Sequence, residues 1–172
     1  MKLPTKLLLL ILPAVLMLGC QSTGTKSGDG PEVVDKGANP SGTGDAGPFR
    51  GNPLDDPSGV LSKRIVYFDL DSSEVKPDDR ATLSAHASYL ASHSGAAVTL
   101  EGHADERGSR EYNLALGERR GNAVRQLLLA EGAATKQIQV VSFGEEKPVA
   151  TGHDEDSWQQ NRRVEIGYTS RK

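Results

Sequence analysis

Between Gln21 and Gly59 lie 39 residues, of which 9 are Gly, 5 Pro, 4 Ser and 3 Thr. Only Val33, Val34, Phe49 and Leu54 offer sizeable apolar side chains there, and they follow no period. A stretch that buries so little cannot offset the entropy of ordering it. Cooperative folding is therefore expected only in residues 60–172, with 20–59 as a disordered tether. Such a tether has a coil dimension of roughly 35 Å and a full reach on the order of 130 Å. Docking of Val33, Val34 or Phe49 on a partner is the alternative use of this segment.

Ahead of the tether, Lys2 and Lys6 precede an almost purely apolar run from Leu7 to Leu18. As a helix, that run rises about 18 Å, well short of the roughly 30 Å hydrocarbon core. It reads as the apolar region of a secretory signal rather than as a membrane span. The run closes as Leu16-Met17-Leu18-Gly19-Cys20 and turns polar at Gln21, which resembles a bacterial lipoprotein signal. The resemblance implies removal of residues 1–19 and a thioether-linked diacylglycerol on Cys20, whose new N-terminus is acylated. Three acyl chains exceed the two signals that stable anchoring needs. Gln21 stands where an Asp would favour retention in the inner membrane, so the outer membrane is expected. Cys20 is the sole cysteine, which excludes an internal disulfide framework and a multi-cysteine zinc site. A net charge of −3 gives no basic footprint for nucleic acid.

Beyond residue 60 the pattern becomes periodic. Arg64–Phe68, Ala97–Glu101, Gln137–Phe143 and the alternating Arg163–Tyr168 read as strands. Pro77 can open a helix whose apolar positions are Leu83, Ala87, Leu90 and Ala91, ending near Ser94-Gly95. Ser109 can cap a second helix that presents Leu116, Ala123, Val124, Leu127 and Leu128 and closes at Gly132. A short helix is expected near Ser157-Trp158. The order β-α-β-α-β-(α)-β predicts an α/β two-layer sandwich, with a mixed sheet of about four strands and helices on one face.

The sequence holds no phosphate loop, no Gly-x-Ser-x-Gly elbow and no His-Glu-x-x-His. His103 and Asp105 alternate and could share one face, but no third metal ligand stands at a fixed spacing, and loop hydrogen bonding is the simpler reading. A wall hydrolase acting through Asp105, Glu106 and His103 is the catalytic alternative. A charge-complementary pair is more promising. Asp105 lies in the loop entering the second helix, and Asn113, Leu116, Arg120 and Val124 share a stripe at spacings of 3, 4 and 4. Were the loop to fold over this stripe, an anion and a guanidinium would face one pocket, suited to a ligand carrying both an ammonium and a carboxylate. A plain Asp105–Arg120 salt bridge satisfies the same pattern.

Asp105 followed by Asn113-Leu114-Ala115-Leu116-Gly117-Glu118-Arg119-Arg120-Gly121-Asn122-Ala123-Val124 resembles the peptidoglycan-binding signature of OmpA-like C-terminal domains. The segments Val66–Asp71, Glu101–Gly108, Gly144–Pro148 and Asn161–Ile166 agree with it, so the similarity spans most of residues 60–172 and implies an OmpA-like sandwich. Gly121 stands where the family usually has Ala, at up to about 1 kcal/mol for a helix interior. The resemblance implies that Asp105 receives the ammonium of a meso-diaminopimelate side chain and Arg120 its carboxylate. It further implies that Asn113 and Leu116 line the pocket, that Phe68 and Asp71 form its rim, and that Asn161 supports it. No catalytic residue, metal or cofactor is implied. With the anchor and tether, the implied role is an outer-membrane lipoprotein bound non-covalently to the wall. Its implied partners are peptidoglycan, TolB and the Tol system, which act in envelope constriction at division. A relative with the same pocket and no Tol partner is the alternative.

Overall fold

The structure is a computed structural model and describes residues 49–171. The signal segment, Cys20 and the tether up to residue 48 lie outside the described residues. Three 3-10 turns (Pro53–Asp55, Val60–Ser62 and Thr135–Gln137) accompany four strands and three helices. In chain order these are β1 (Ile65–Tyr67), α1 (Pro77–Ser92), β2 (Ala96–His103), α2 (Arg110–Ala130), β3 (Ile138–Gly144), α3 (Glu155–Asn161) and β4 (Arg163–Arg171). The sheet order is β1-β4-β2-β3. β4 runs antiparallel to both β1 and β2, whereas β2 and β3 are parallel. The mixed four-stranded α/β sandwich expected from the pattern is therefore the observed fold.

Local chemistry explains the boundaries. Pro77 opens α1 with Asp78 and Asp79 in the first turn, where carboxylates complement the helix dipole. Ser109 accepts a hydrogen bond from the Tyr112 amide at 3.2 Å and starts α2. Gly132, at φ 104°, turns the chain away after it. α1 buries Leu83, Ala87 and Leu90 as expected, but Ala91 is exposed, and His86 and Tyr89 occupy the buried face instead. His86 is accommodated by bonds to the Tyr168 hydroxyl (2.8 Å) and the Lys63 carbonyl (2.9 Å).

The core runs between the helices and one sheet face, with Val66, Phe68, Leu83, Leu90, Val98, Leu100, Val124, Leu128, Val164 and Ile166 each at most 2% exposed. α2 lies directly on the sheet because its facing positions are glycines. A Cβ on Gly121 would approach Val140 Cγ1 to 2.6 Å, so the departure from Ala at this position is matched by tight packing against β3.

Packing continues on the N-terminal side of Val60. Leu54 is 3% exposed within the core cluster, its carbonyl takes a 2.7 Å bond from Arg64, and Asn52 caps its turn. A single apolar anchor held by polar bonds leaves no periodic trace in a Gly/Pro-rich sequence. Residues 52–59 are thus attached to the core through Leu54.

Candidate functional site

Asp105 sits in the loop between β2 and α2 and is 5% exposed. Its carboxylate accepts bonds from the Arg107 amide (3.1 Å), Arg107 Nε (3.3 Å) and Nη2 (2.8 Å), and Arg162 Nη1 (3.2 Å). Burial pushes its pKa up, but the hydrogen bonds from Arg107 and Arg162 outweigh that effect and hold it below the usual carboxylate range. Arg162 is itself fixed, donating to the Phe68 carbonyl at 3.1 Å and to Glu155 at 2.6 Å. Arg107 is looser: its side chain is one-third exposed and its guanidinium lies 4.1 Å over the Trp158 ring.

Arg120 is fully buried on α2. Nε donates to the Ser72 carbonyl (2.8 Å), Nη1 to that of His103 (2.8 Å) and Nη2 to that of Asp69 (3.0 Å). A guanidinium has five N–H groups, so one remains on each terminal nitrogen, the number that a bidentate grip uses. Burial brings its pKa down to about 10, partly offset by the Asp105 charge, so it stays cationic at neutral pH. No ion pair or hydrogen bond joins Asp105 to Arg120, and the salt bridge that the spacing also allowed is not formed. Both line one cavity of about 290 Å³, with Leu70, Asp71, Arg107, Gly108, Tyr112 and Leu116.

Asp71 has φ 54°, the one non-glycine residue with positive φ among the described residues, and its carboxylate accepts the Tyr112 hydroxyl across the cavity mouth. This left-handed backbone turns the loop after β1 over the N-terminal part of α2.

Of the residues expected here, Asp105, Arg120, Leu116 and Asp71 converge, and three do not line the cavity. Phe68 is fully buried with its ring 5.4 Å from the Arg120 guanidinium carbon, so it packs behind the site rather than forming its rim. Asn113 is 1% exposed and donates to Glu145, with its amide oxygen unpartnered on the Gly108 side. Asn161 lines a neighbouring cavity of about 300 Å³ and binds Val149 N (2.9 Å), Ala150 N (3.1 Å) and Ala150 O (2.8 Å). It therefore shapes the loop before α3. Sequence reasoning missed Leu70, Arg107, Tyr112 and Arg162. The spacing of Arg107 from Asp105, compatible with an Asx turn, is the one local signal that could have found any of them.

The residues of the catalytic alternative do not converge. Glu106 is held by His153 (2.7 Å) and Trp158 (2.8 Å), and its pKa, like that of Asp105, is lowered, opposite to what a general acid needs. The His103 ring is 1% exposed and stacks on Phe143, with neither ring nitrogen hydrogen-bonded and Nε2 4.0 Å from Glu165 Oε1. Among the described residues no three His, Cys, Asp or Glu groups could hold a metal.

Burial, then the Arg163 cation, depress the His103 pKa to about 4; Glu165 opposes this and Lys147 adds to it. The unfolded chain thus binds a proton between pH 6.5 and 4 that the folded domain refuses. Stability should be fully present above pH 6.5 and fall on acidification towards pH 4, by on the order of 3 kcal/mol from this group. Thermal melts across that range should show a shallower slope in His103→Leu than in the wild type; an unchanged slope would remove His103 as the cause.

A family model described as the OmpA family matches residues 67–162, a span that holds Asp105, Arg120 and Arg162. The chain is 46% identical over 160 residues to the peptidoglycan-associated lipoprotein of Pseudomonas aeruginosa, covering 91% of this chain and 92% of that relative. Its structure resembles the crystal structure of the peptidoglycan-associated lipoprotein from Burkholderia pseudomallei, at TM-score 0.67 and 52% identity, over 67% of this chain and 98% of that one. The C-terminal domain of Helicobacter pylori MotB shares the fold alone, at TM-score 0.57 and 19% identity, over 62% of this chain and 84% of that one. The chain belongs to the OmpA family, among the peptidoglycan-associated lipoproteins.

Proposed function

We propose that the domain binds peptidoglycan non-covalently by holding the meso-diaminopimelate side chain of the stem peptide. The observation that carries this reading is the pair of opposite charges, Asp105 and Arg120, buried on one cavity without pairing to each other. Asp105 offers its carboxylate to the ligand ammonium, and the two remaining Arg120 N–H groups offer a fork to the ligand carboxylate. Leu116 and Leu70 flank the aliphatic chain between them, and Asp71 with Tyr112 closes the mouth. A lysine-type stem peptide lacks the terminal carboxylate and would leave a buried guanidinium unmet, which is the strongest form of discrimination a polar site has.

In this reading Cys20 carries the lipid, the domain begins near Asn52, and residues 20–51 form the leash between outer membrane and wall. The domain faces the periplasm and works with TolB and the Tol system in envelope integrity and division. The test is co-sedimentation with intact sacculi. Retention on diaminopimelate-type walls, without released muropeptides and unaffected by chelator, supports the proposal, whereas equal retention on lysine-type walls contradicts it. Retention on sacculi with no capture of TolB would confine the role to the wall tether.

A further inference from the structure

Asp105 is not an empty anion. Its carboxylate is already occupied by two guanidinium groups, and they are held very differently. Arg162 is 5% exposed and pinned at all three nitrogens, to the Phe68 carbonyl, Asp105 and Glu155. Arg107 is one-third exposed, reaches Asp105 from two residues along the same loop, and has two further holds: the Trp158 face at 4.1 Å and Glu155 Oε2 at 3.4 Å. Glu155 is more than half exposed.

Resting on the diaminopimelate reading above, we propose that the Arg107 side chain is a resident counter-ion which the ligand ammonium displaces. The Arg107 guanidinium leaves Asp105 and moves onto Glu155, using the Trp158 ring as its pivot. Arg162 and the Arg107 amide stay in place and keep the carboxylate aimed.

Charge and hydrogen bonding support the exchange. Asp105 and Glu155 balance Arg107 and Arg162, so adding an ammonium with Arg107 still engaged would place three cations around one buried carboxylate. Releasing the Arg107 side chain frees one contact on each carboxylate oxygen, at 3.3 and 2.8 Å, which an ammonium with three donors can fill. The departing guanidinium is not left unpaired, because Glu155 is already within reach and Trp158 continues to cover its face. In the unliganded state the same residue spares Asp105 the cost of a partly unpaired buried charge. Arg107 is then a positioning residue that sets how much of the ammonium attraction appears as affinity, and a ligand without an ammonium cannot complete the exchange.

Trp158 is the only tryptophan in the chain and reports on the guanidinium lying over it. The experiment is a titration of the full chain with a diaminopimelate stem peptide, followed by calorimetry and by Trp158 emission. The wild type should bind with a saturable change in emission. Arg107→Gln should bind tighter, on the order of fivefold, the weight of releasing one partly exposed ion pair. Its emission should no longer respond to ligand. Arg107→Lys, which keeps the charge but not the fork, should fall between the two. Glu155→Gln, which removes the landing place, should weaken binding in the wild-type background and weaken it less in the Arg107→Gln background, where only its hold on Arg162 is lost. Weaker or unchanged binding by Arg107→Gln, or wild-type binding with no change in emission, overturns the exchange alone. Absence of peptide binding by the wild type removes the diaminopimelate reading and the exchange with it.

Discussion

Replacing Arg120 by Ala is expected to cost the domain both its ligand and much of its stability. The guanidinium satisfies the carbonyls of Asp69, Ser72 and His103, and thereby ties the loop after β1 to the end of β2. Orphaning buried carbonyls costs about 1–3 kcal/mol each where water cannot replace the donor. Together with the cavity left by a fully buried side chain, a loss of about 3–5 kcal/mol is expected, against a total of roughly 5–15 kcal/mol for a domain. Loss of wall binding in this variant therefore mixes two causes. Arg120→Lys separates them, since it keeps a cation but not the fork. It should fold with a reduced melting temperature and bind the diaminopimelate peptide weaker by about 2–4 kcal/mol. Denaturant melts and calorimetry on the same samples check both halves; a stably folded Arg120→Ala that binds normally would refute the clamp and the site together.

The other large effect is expected at Gly102, in β2 directly beneath α2. A Cβ at Gly102 would overlap the Gly117 carbonyl, and a Cβ at Gly117 would lie 2.7 Å from the Gly102 carbonyl. Both obstacles are backbone, so no rotamer relieves them, and α2 must lift from the sheet. Overpacking ordinarily costs about 1–3 kcal/mol, but that range describes side chains that can shift. Gly102→Ala should exceed it and fail to give a cooperative melt. Because Arg120 rides on the same helix and bonds His103, next to Gly102, the cavity should be lost with the packing. A cooperative melt near the wild-type temperature would show that the helix can retreat more readily than the close approach implies.

Of these two positions, Arg120 was legible in the sequence and the close approach at Gly102 was not. The α2 stripe of Asn113, Leu116, Arg120 and Val124 is local information, and all four are buried. The cap at Ser109 and the turn at Gly132 are local for the same reason. What a helical stripe does not reveal is which side chains from elsewhere meet it. Arg162 arrives at Asp105 from beyond α3, so the carboxylate's true partners were hidden and Asp105–Arg120 pairing stayed an open alternative. Asn161 is adjacent to Arg162 in the chain, yet it faces the neighbouring cavity, a difference set by how α3 hands over to β4. Phe68 stands at the rim in what the resemblance implies; it follows β1 in alternation with Val66 and lies with it in the core. Leu54 was lost in a tether composition because one anchoring residue makes no pattern.

The central claim is that Asp105 and Arg120 read the two charges of a diaminopimelate side chain. Calorimetric titration of residues 49–172, a span that includes the Leu54 anchor, with diaminopimelate and lysine stem peptides tests it most directly. The account predicts saturable binding of the diaminopimelate peptide alone, abolished in Asp105→Asn and strongly reduced in Arg120→Lys. Equal binding of both peptides, or binding that survives both substitutions, would contradict it.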